Sequence, residues 1–402
     1  MVRSIARPRP GRTPRLAGYA RYVHTYGVTT FITRLETIGD GPRLAVKDLI
    51  DVQGVPTTAG CKAVADTAQP AAADAPCLAG ARAAGARIVG KANLFELAFG
   101  ASGTNPWYGT PVNPLDPGLL PGGSSSGSAV AVAEGEADYG YGTDTGGSVR
   151  IPAAFCGLAG LKTTHGRISL DGVWPLSPSL DTVGPIALDV AGLAAAMALL
   201  EPGFVMATRP AARLGRLRVT ADESDPLVDA AIDAVLARSG LKVTEVELPD
   251  WPDAVRQGYV LTFGEAAEVN AALLTDPASE GKIGAEVRER LEQARAVTRE
   301  QVRAARAYQV SWQSEWTALL SSVDAVVLPT VAFFPPPLAE DTQHHLPQLT
   351  IPVNLAGLPA LALPVPARHA LPASLQLVGP AGGEEGLLAT GAVLEEVARY
   401  RR

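Results

Sequence analysis

Three cysteines in 402 residues, Cys61, Cys77 and Cys156, are too few and too scattered for a disulfide framework or a zinc spacing, and they read as small core residues. The five histidines, His24, His165, His344, His345 and His369, form no HExxH pattern and no convincing triad motif, so a metal site has no support. No apolar run approaches the roughly 18 uninterrupted residues of a membrane span, and none follows the N-terminus as a signal-peptide core. Basic residues are outnumbered, 34 Lys and Arg against 41 Asp and Glu, and the net charge of −7 argues against a nucleic-acid surface. Only the first stretch departs, where Arg3, Arg7, Arg9, Arg12 and Arg15 alternate with prolines, and residues 1–40 read as a solvated tail. These absences lead to the expectation of a cytoplasmic protein with no cofactor, no metal, and no nucleic-acid or membrane partner.

What is present describes a globular chain: 47% hydrophobic and 19% charged residues, long enough for one large domain or two fused ones. Residues 43–52, RLAVKDLIDV, read as a strand running into a turn with Lys47 in its middle. A helical pattern from Asp74 to Gly85 is followed by the strand RIVGKAN, which establishes an α/β alternation. Residues 100–123 form a long Gly, Pro, Asn and Thr-rich loop that ends in PGGSSSGS. A buried helix from Ser128, a strand at EADYGYGT and a TDTGGS turn into a helix near Ser148 come next. Residues 161–187 read as loop and 188–200 as helix. Further on, a strand at LRVTA, a helix from Pro226 to Ser239, a strand at KVTEVEL and one long helical stretch over 285–320 suggest a cap. DAVVLPT is a buried strand, FFPPP a stiff loop, and 351–378 carry strands that rejoin the first sheet.

A hydrolase needs a nucleophile, a base and backbone donors aimed at the developing oxyanion. There is no G-x-S-x-G elbow around Ser148 or Ser124. A lysine can be the base if burial keeps it neutral, and Lys47, among Leu44, Ala45, Val46, Leu49 and Ile50, has an apolar setting. Lys62 reads as a surface residue, while Lys91 and Lys162 read as snorkelling or paired. The TDTGGS run can turn consecutive N–H groups into one concavity, a nest for an oxyanion or a phosphate. Without a Gly-Lys-Ser/Thr ending, phosphate is the minor alternative.

The stretch from Pro121 to Ser169, PGGSSSGSAVAVAEGEADYGYGTDTGGSVRIPAAFCGLAGLKTTHGRIS, closely resembles the amidase signature family. The resemblance extends upstream through AVKDLIDVQGVPTTAG and GARIVGKANLFELAFG, and downstream through SLDTVGPIA, VDAVVLPT and TIPVNLAGLPALALPVP, so it covers most of the chain. It implies an α/β/α fold, a mixed central sheet with helices on both faces, in a single domain over 1–402. Within that domain, 41–200 would be the catalytic core, 205–320 a variable cap and 321–402 a return to the core. It also implies a Ser-cis-Ser-Lys triad. Ser148 is then the nucleophile, Ser124 the relay after a cis Gly123–Ser124 bond, and Lys47 the base. The oxyanion hole falls on the backbone N–H groups of Thr145, Gly146, Gly147 and Ser148. Ser125, Asp144 and Arg150 read as support, Ser126 stands where many members have glycine, and Asp181 and Gln376 are family-like without assigned chemistry.

Trp107, Tyr108 and Trp174, with Tyr259 and Phe263, are candidates for an aromatic wall around the acyl group. The GGSSSGSAVAVA form, the THGRIS segment and the compact length resemble short indoleacetamide and arylacetamide hydrolases of the family. The expected reaction is hydrolysis of a small carboxamide to carboxylate and ammonia by a monomer or homodimer. One alternative is the glutaminase component, the A subunit, of a glutamyl-tRNA(Gln) amidotransferase. Short length and the lack of an evident Arg and Asp pair for a zwitterion weigh against it. A binding or scaffold homologue without activity is the alternative from another class.

Overall fold

Strands such as AVVLP, ALALPV and ASLQLV are apolar at nearly every position, a pattern that requires cover on both faces of a sheet. The computed structural model, which describes residues 29–37, 39–219, 224–339 and 346–398, supplies that cover. Its strands are β1 (Phe31–Arg34), β2 (Arg43–Lys47), β3 (Arg87–Ala92), β4 (Tyr139–Asp144), β5 (Ala159–Lys162) and β6 (Thr182–Ala187). They continue as β7 (Arg213–Leu217), β8 (Lys242–Val246), β9 (Ala325–Pro329), β10 (Ala360–Val365) and β11 (Ala373–Val378). All join one 11-stranded sheet in the order β1-β3-β2-β4-β6-β5-β10-β11-β9-β7-β8. The sheet is mixed: β2 runs parallel to β3 and β4, and β7 to β8 and β9, while β4, β6, β5, β10, β11 and β9 alternate in direction.

The first helices are α1 (Lys62–Ala65), α2 (Ala79–Ala83), α3 (Ser126–Ala133), α4 (Arg150–Phe155), α5 (Val190–Leu200) and α6 (Pro226–Arg238). After them come α7 (Trp251–Val269), α8 (Ala271–Thr275), α9 (Ala285–Ala294), α10 (Arg299–Ser322), α11 (Ile351–Ala356) and α12 (Glu384–Ala398). Alternate strand residues divide between two cores. Ala325 and Val327 of β9 and Leu375 and Leu377 of β11 pack with Leu193, Ile232 and Leu388 of α5, α6 and α12. Val326, Leu328 and Val378 face the other way, onto Trp251, Trp312 and Trp316 of α7 and α10. The expected α/β/α arrangement is therefore present.

Several boundaries differ from the sequence reading. Lys47 closes β2 instead of sitting mid-strand, because the N–H groups of Leu49 and Ile50 both turn back onto its carbonyl. Part of the expected tail is an edge strand, β1, antiparallel to β3, whereas the five N-terminal arginines lie outside the described residues. The expected loop over 161–187 contains the second half of β5 and all of β6, both strands being fully buried, and Gly184 and Pro185 conceal the strand signal of β6. The strand expected at LRVTA ends where that motif begins, and its last two residues are not described.

The stretch over 285–320 is two helices, separated where Thr298 and Gln301 form a capping box at the start of α10. The nineteen residues of α7 were not anticipated. Within 351–378 the first element is the helix α11, stopped by Gly357 at φ 72°. Residues 205–320 accordingly divide: β7 and β8 extend the sheet beyond β9, α6 packs against β9 and β11, and α7 packs against α9, α10 and α11.

Candidate active site

Because β2 and β4 are parallel neighbours, with Val46 opposite Tyr141, both strands end at the same edge of the sheet. That edge is where open α/β sheets gather their ligand sites. Lys47 ends β2 and Asp144 ends β4, one residue after Thr143. Lys47 Nζ lies 2.7 Å from Ser124 Oγ and 2.8 Å from Thr143 Oγ1. Lys47 and Ser124 are wholly buried. Burial pushes the Lys47 pKa down to about 7, against the upward pull of the Asp144 and Asp181 charges. Ser124 follows a cis Gly123–Ser124 bond, as expected, and its carbonyl receives the Phe95 N–H at 3.0 Å.

The TDTGGS turn is organised by the Asp144 carboxylate. It accepts the backbone N–H groups of Gly147 at 2.8 Å and Val149 at 3.1 Å, and the Arg150 guanidinium through Nε at 3.0 Å and Nη2 at 2.8 Å. Burial alone would raise the Asp144 pKa, but Arg150, Lys162 and the Asn354 amide together hold it well below the usual carboxylate range. Arg150 is held in turn by Gln376 Oε1, Asn354 Oδ1 and the Thr350 carbonyl. Gly147 has φ 129°, and a Cβ there would meet Thr350 Oγ1 at 2.4 Å, so both conformation and space select glycine. The Thr350 hydroxyl occupies that space to donate to the Gly146 carbonyl.

This arrangement corrects one of the four expected oxyanion donors. The Gly147 N–H is engaged by Asp144, and Gly147 is not part of the cavity wall. Thr145, Gly146 and Ser148 do line a cavity of about 430 Å³, and Ser148 is 7% exposed where the other two expected triad members are not exposed at all. Ser148 is tied to the Ser124–Ser125 segment through its carbonyl, which accepts the Ser125 N–H at 3.2 Å.

The aromatic wall divides. Tyr259 and Phe263 line the cavity, joined by Phe99, whose ring meets that of Phe263 edge-on at 4.9 Å. Trp107, Tyr108 and Trp174 do not. Trp107 donates its indole N–H to the buried Glu96, Tyr108 stands beside Thr58, and Trp174 lines a separate cavity with Asp51 and Thr57. Each belongs to a loop beside the core, and single-sequence reading has no means of aiming a loop aromatic. The sequence reading also missed Arg256, Arg290 and Gln293, which α7 and α9 bring to the cavity.

Ser125 donates to the Thr143 carbonyl at 3.3 Å and reaches neither Lys47 nor the Ser124 hydroxyl. Thr143 takes that place and was not anticipated; its only signal was its position at the end of a strand parallel to β2. Asp181 accepts the Thr145 hydroxyl and, at 2.9 and 3.1 Å, the Leu176 and Ser177 N–H groups, thereby bracing the TDTGGS turn. Ser126 is buried in the first turn of α3.

Lys62 is half exposed beside Asp66, and Lys91 pairs with buried Asp48 at 2.8 Å. Lys162 does not snorkel: it is fully buried, donates to the Thr163 carbonyl at 2.9 Å, and its pKa falls to about 7 through burial and the Arg150 charge. Among the described residues no group of three or more His, Cys, Asp or Glu is placed to hold a metal ion, and no helix is long and apolar enough to cross a membrane.

A family model described as Amidase matches residues 41–388. Over 396 residues the chain is 35% identical to the A subunit of glutamyl-tRNA(Gln) amidotransferase from Thermus thermophilus, covering 88% of this chain and 84% of that protein. It is also 35% identical, over 391 residues, to 2-amino-5-chloromuconic acid deaminase of Comamonas testosteroni, covering 90% of this chain and 83% of that protein. A crystal structure of an amidase superposes with a TM-score of 0.80 at 34% identity, over 88% of this chain and 84% of that one. On a family match that spans most of its length, the chain belongs to the amidase signature family, enzymes that hydrolyse carbon–nitrogen amide bonds.

Proposed function

We propose that this chain hydrolyses a carboxamide to a carboxylate and ammonia through an acyl-enzyme on Ser148. The observation that carries the reading is a fully buried Lys47 whose Nζ lies 2.7 Å from Ser124 Oγ, beside a nucleophile turn open to a cavity. Burial supplies the neutral amine that a base at pH 7 requires. Ser148 Oγ attacks the carbonyl carbon, its proton passes to Ser124 Oγ, and the Ser124 proton passes to Lys47 Nζ. The carbonyl oxygen becomes an oxyanion facing the N–H groups of the 145–148 turn other than Gly147. When the C–N bond breaks, the proton returns by the same path to the leaving nitrogen, and ammonia departs. Water then attacks the ester carbon, gives its proton to the relay and releases the acid with Ser148 restored.

Of the substrates weighed, glutamine gains support from the Thermus relative, a protein named for its place in an amidotransferase, 84% of whose length is matched. The arylacetamide reading keeps only the apolar walls in its favour. A component of an amidotransferase would work with partner subunits, and a free-standing amidase would not need them. Purified protein assayed for ammonia release from glutamine and from a panel of aliphatic and aryl amides tests the reading, together with covalent labelling by a fluorophosphonate. Labelling and turnover that both vanish in Ser148→Ala support it. Wild-type protein that releases no ammonia and takes no label refutes it in favour of a binding homologue.

A further inference from the structure

The cavity beside Ser148 carries positive charge on walls that are otherwise apolar. Phe99, Leu176, Phe263 and Ile351 are among its apolar lining, yet α7 brings Arg256 and α9 brings Arg290 to it, with Gln293 close by on α9. No aspartate or glutamate is among the described residues that line it.

The two arginines are not equivalent. Arg256 is 61% exposed and pairs with Asp253 one turn away, so solvent screens it. Arg290 is 12% exposed, and its guanidinium packs 6.0 Å from the Phe95 ring centroid. Its Nη2 meets Glu286 Oε1 at 3.1 Å. One such contact uses one corner of a planar fork with five donors, and the remaining donors match the geometry of an oxyanion such as a second carboxylate. A neutral aryl or alkyl amide would leave that fork without use.

We infer that the acyl part of the substrate ends in a carboxylate and carries no ammonium: the cavity takes the monoamide of a short dicarboxylic acid, with Arg290 receiving the free carboxylate. This inference rests on the amidase reading of Ser148. An α-amino acid amide such as glutamine also brings an ammonium, and no aspartate or glutamate among the described lining residues stands ready to pair it. The volume of about 430 Å³ lies within the range of small-ligand cavities and admits a chain of a few carbons between amide and acid. Arg290 acts here as a specificity-determining residue, not as part of the bond-breaking machinery.

The test compares succinamate, glutaramate and adipamate with the neutral amide pentanamide and with L-glutamine, by ammonia release from the full-length protein. The best of the three amidic acids is expected to exceed both comparators in kcat/KM by about tenfold or more, the scale of one charge-assisted contact. R290Q is expected to lower kcat/KM for that amidic acid at least about tenfold more than for pentanamide, mainly through KM, with R290K between the two. Pentanamide or glutamine as the best substrate overturns the inference, as does an R290Q loss equal for acid and neutral amide. Fluorophosphonate labelling of Ser148 without turnover of any amidic acid also overturns it and leaves the nucleophile standing. Absence of labelling overturns the amidase reading itself.

Discussion

Lys47 Nζ stands 2.7 Å from Ser124 Oγ, and neither side chain meets solvent. An ammonium group in that position is desolvated, which brings the Lys47 pKa down to about 7 and makes the neutral amine accessible near neutral pH.

The rate should therefore follow the deprotonation of Lys47. With the neutral amine of Lys47 as the proposed base, kcat/KM is expected to rise with pH through about 7 and to fall about tenfold per unit below that limb. Lys47→Met should cost about a hundredfold or more and erase the limb. Lys162 has the same lowered pKa but makes its hydrogen bond to the Thr163 carbonyl, so the limb persists in K162M. A limb that survives Lys47→Met assigns the base elsewhere.

Stability shares this titration. The folded pKa of Lys47, about 7, lies below its ordinary 10.5, so between those values the unfolded chain binds more protons. The group therefore opposes folding at neutral pH, and its cost fades as pH rises towards 10.5. Tm measured from pH 7 to 10 should climb less in Lys47→Met than in wild type, and equal slopes would contradict the burial argument.

Asp144 and Arg150 are a buried pair whose partners include Gly147, Asn354, Thr350 and Gln376. Asp144→Asn strands a guanidinium with no counter-charge, and a loss of about 3–5 kcal/mol in urea unfolding is expected. Combining D144N with R150Q should recover part of that stability without recovering activity, because the turn loses its organiser in either case. Additive losses would show that the two act independently.

Gly147→Ala places a Cβ 2.4 Å from Thr350 Oγ1 in a backbone region that L-residues rarely adopt. The expected result is a folded protein weakened by about 1–3 kcal/mol whose kcat falls at least about tenfold, since the donors at 145, 146 and 148 move with the turn. Wild-type kcat in this variant would mean that the turn does not hold the oxyanion.

The motif residues Lys47, Ser124 and Ser148 were legible because each lies in a contiguous, recognisable segment. The sequence by itself determined the glycines and aspartate of the TDTGGS turn, since its conformation depends chiefly on nearby residues: Asp144 reaches N–H groups only three and five positions away. The long apolar strands were legible for the same reason, being set by burial at every position. What the sequence could not express was contact across the fold. Thr143 meets Lys47 because two strands 96 positions apart run parallel, and Arg150 is held by Gln376 226 positions away. The cavity wall was likewise a tertiary decision: side chains on α7 and α9 meet the cavity that Ser148 lines only once those helices pack together, and no local pattern distinguishes Arg290 from a solvated helix charge.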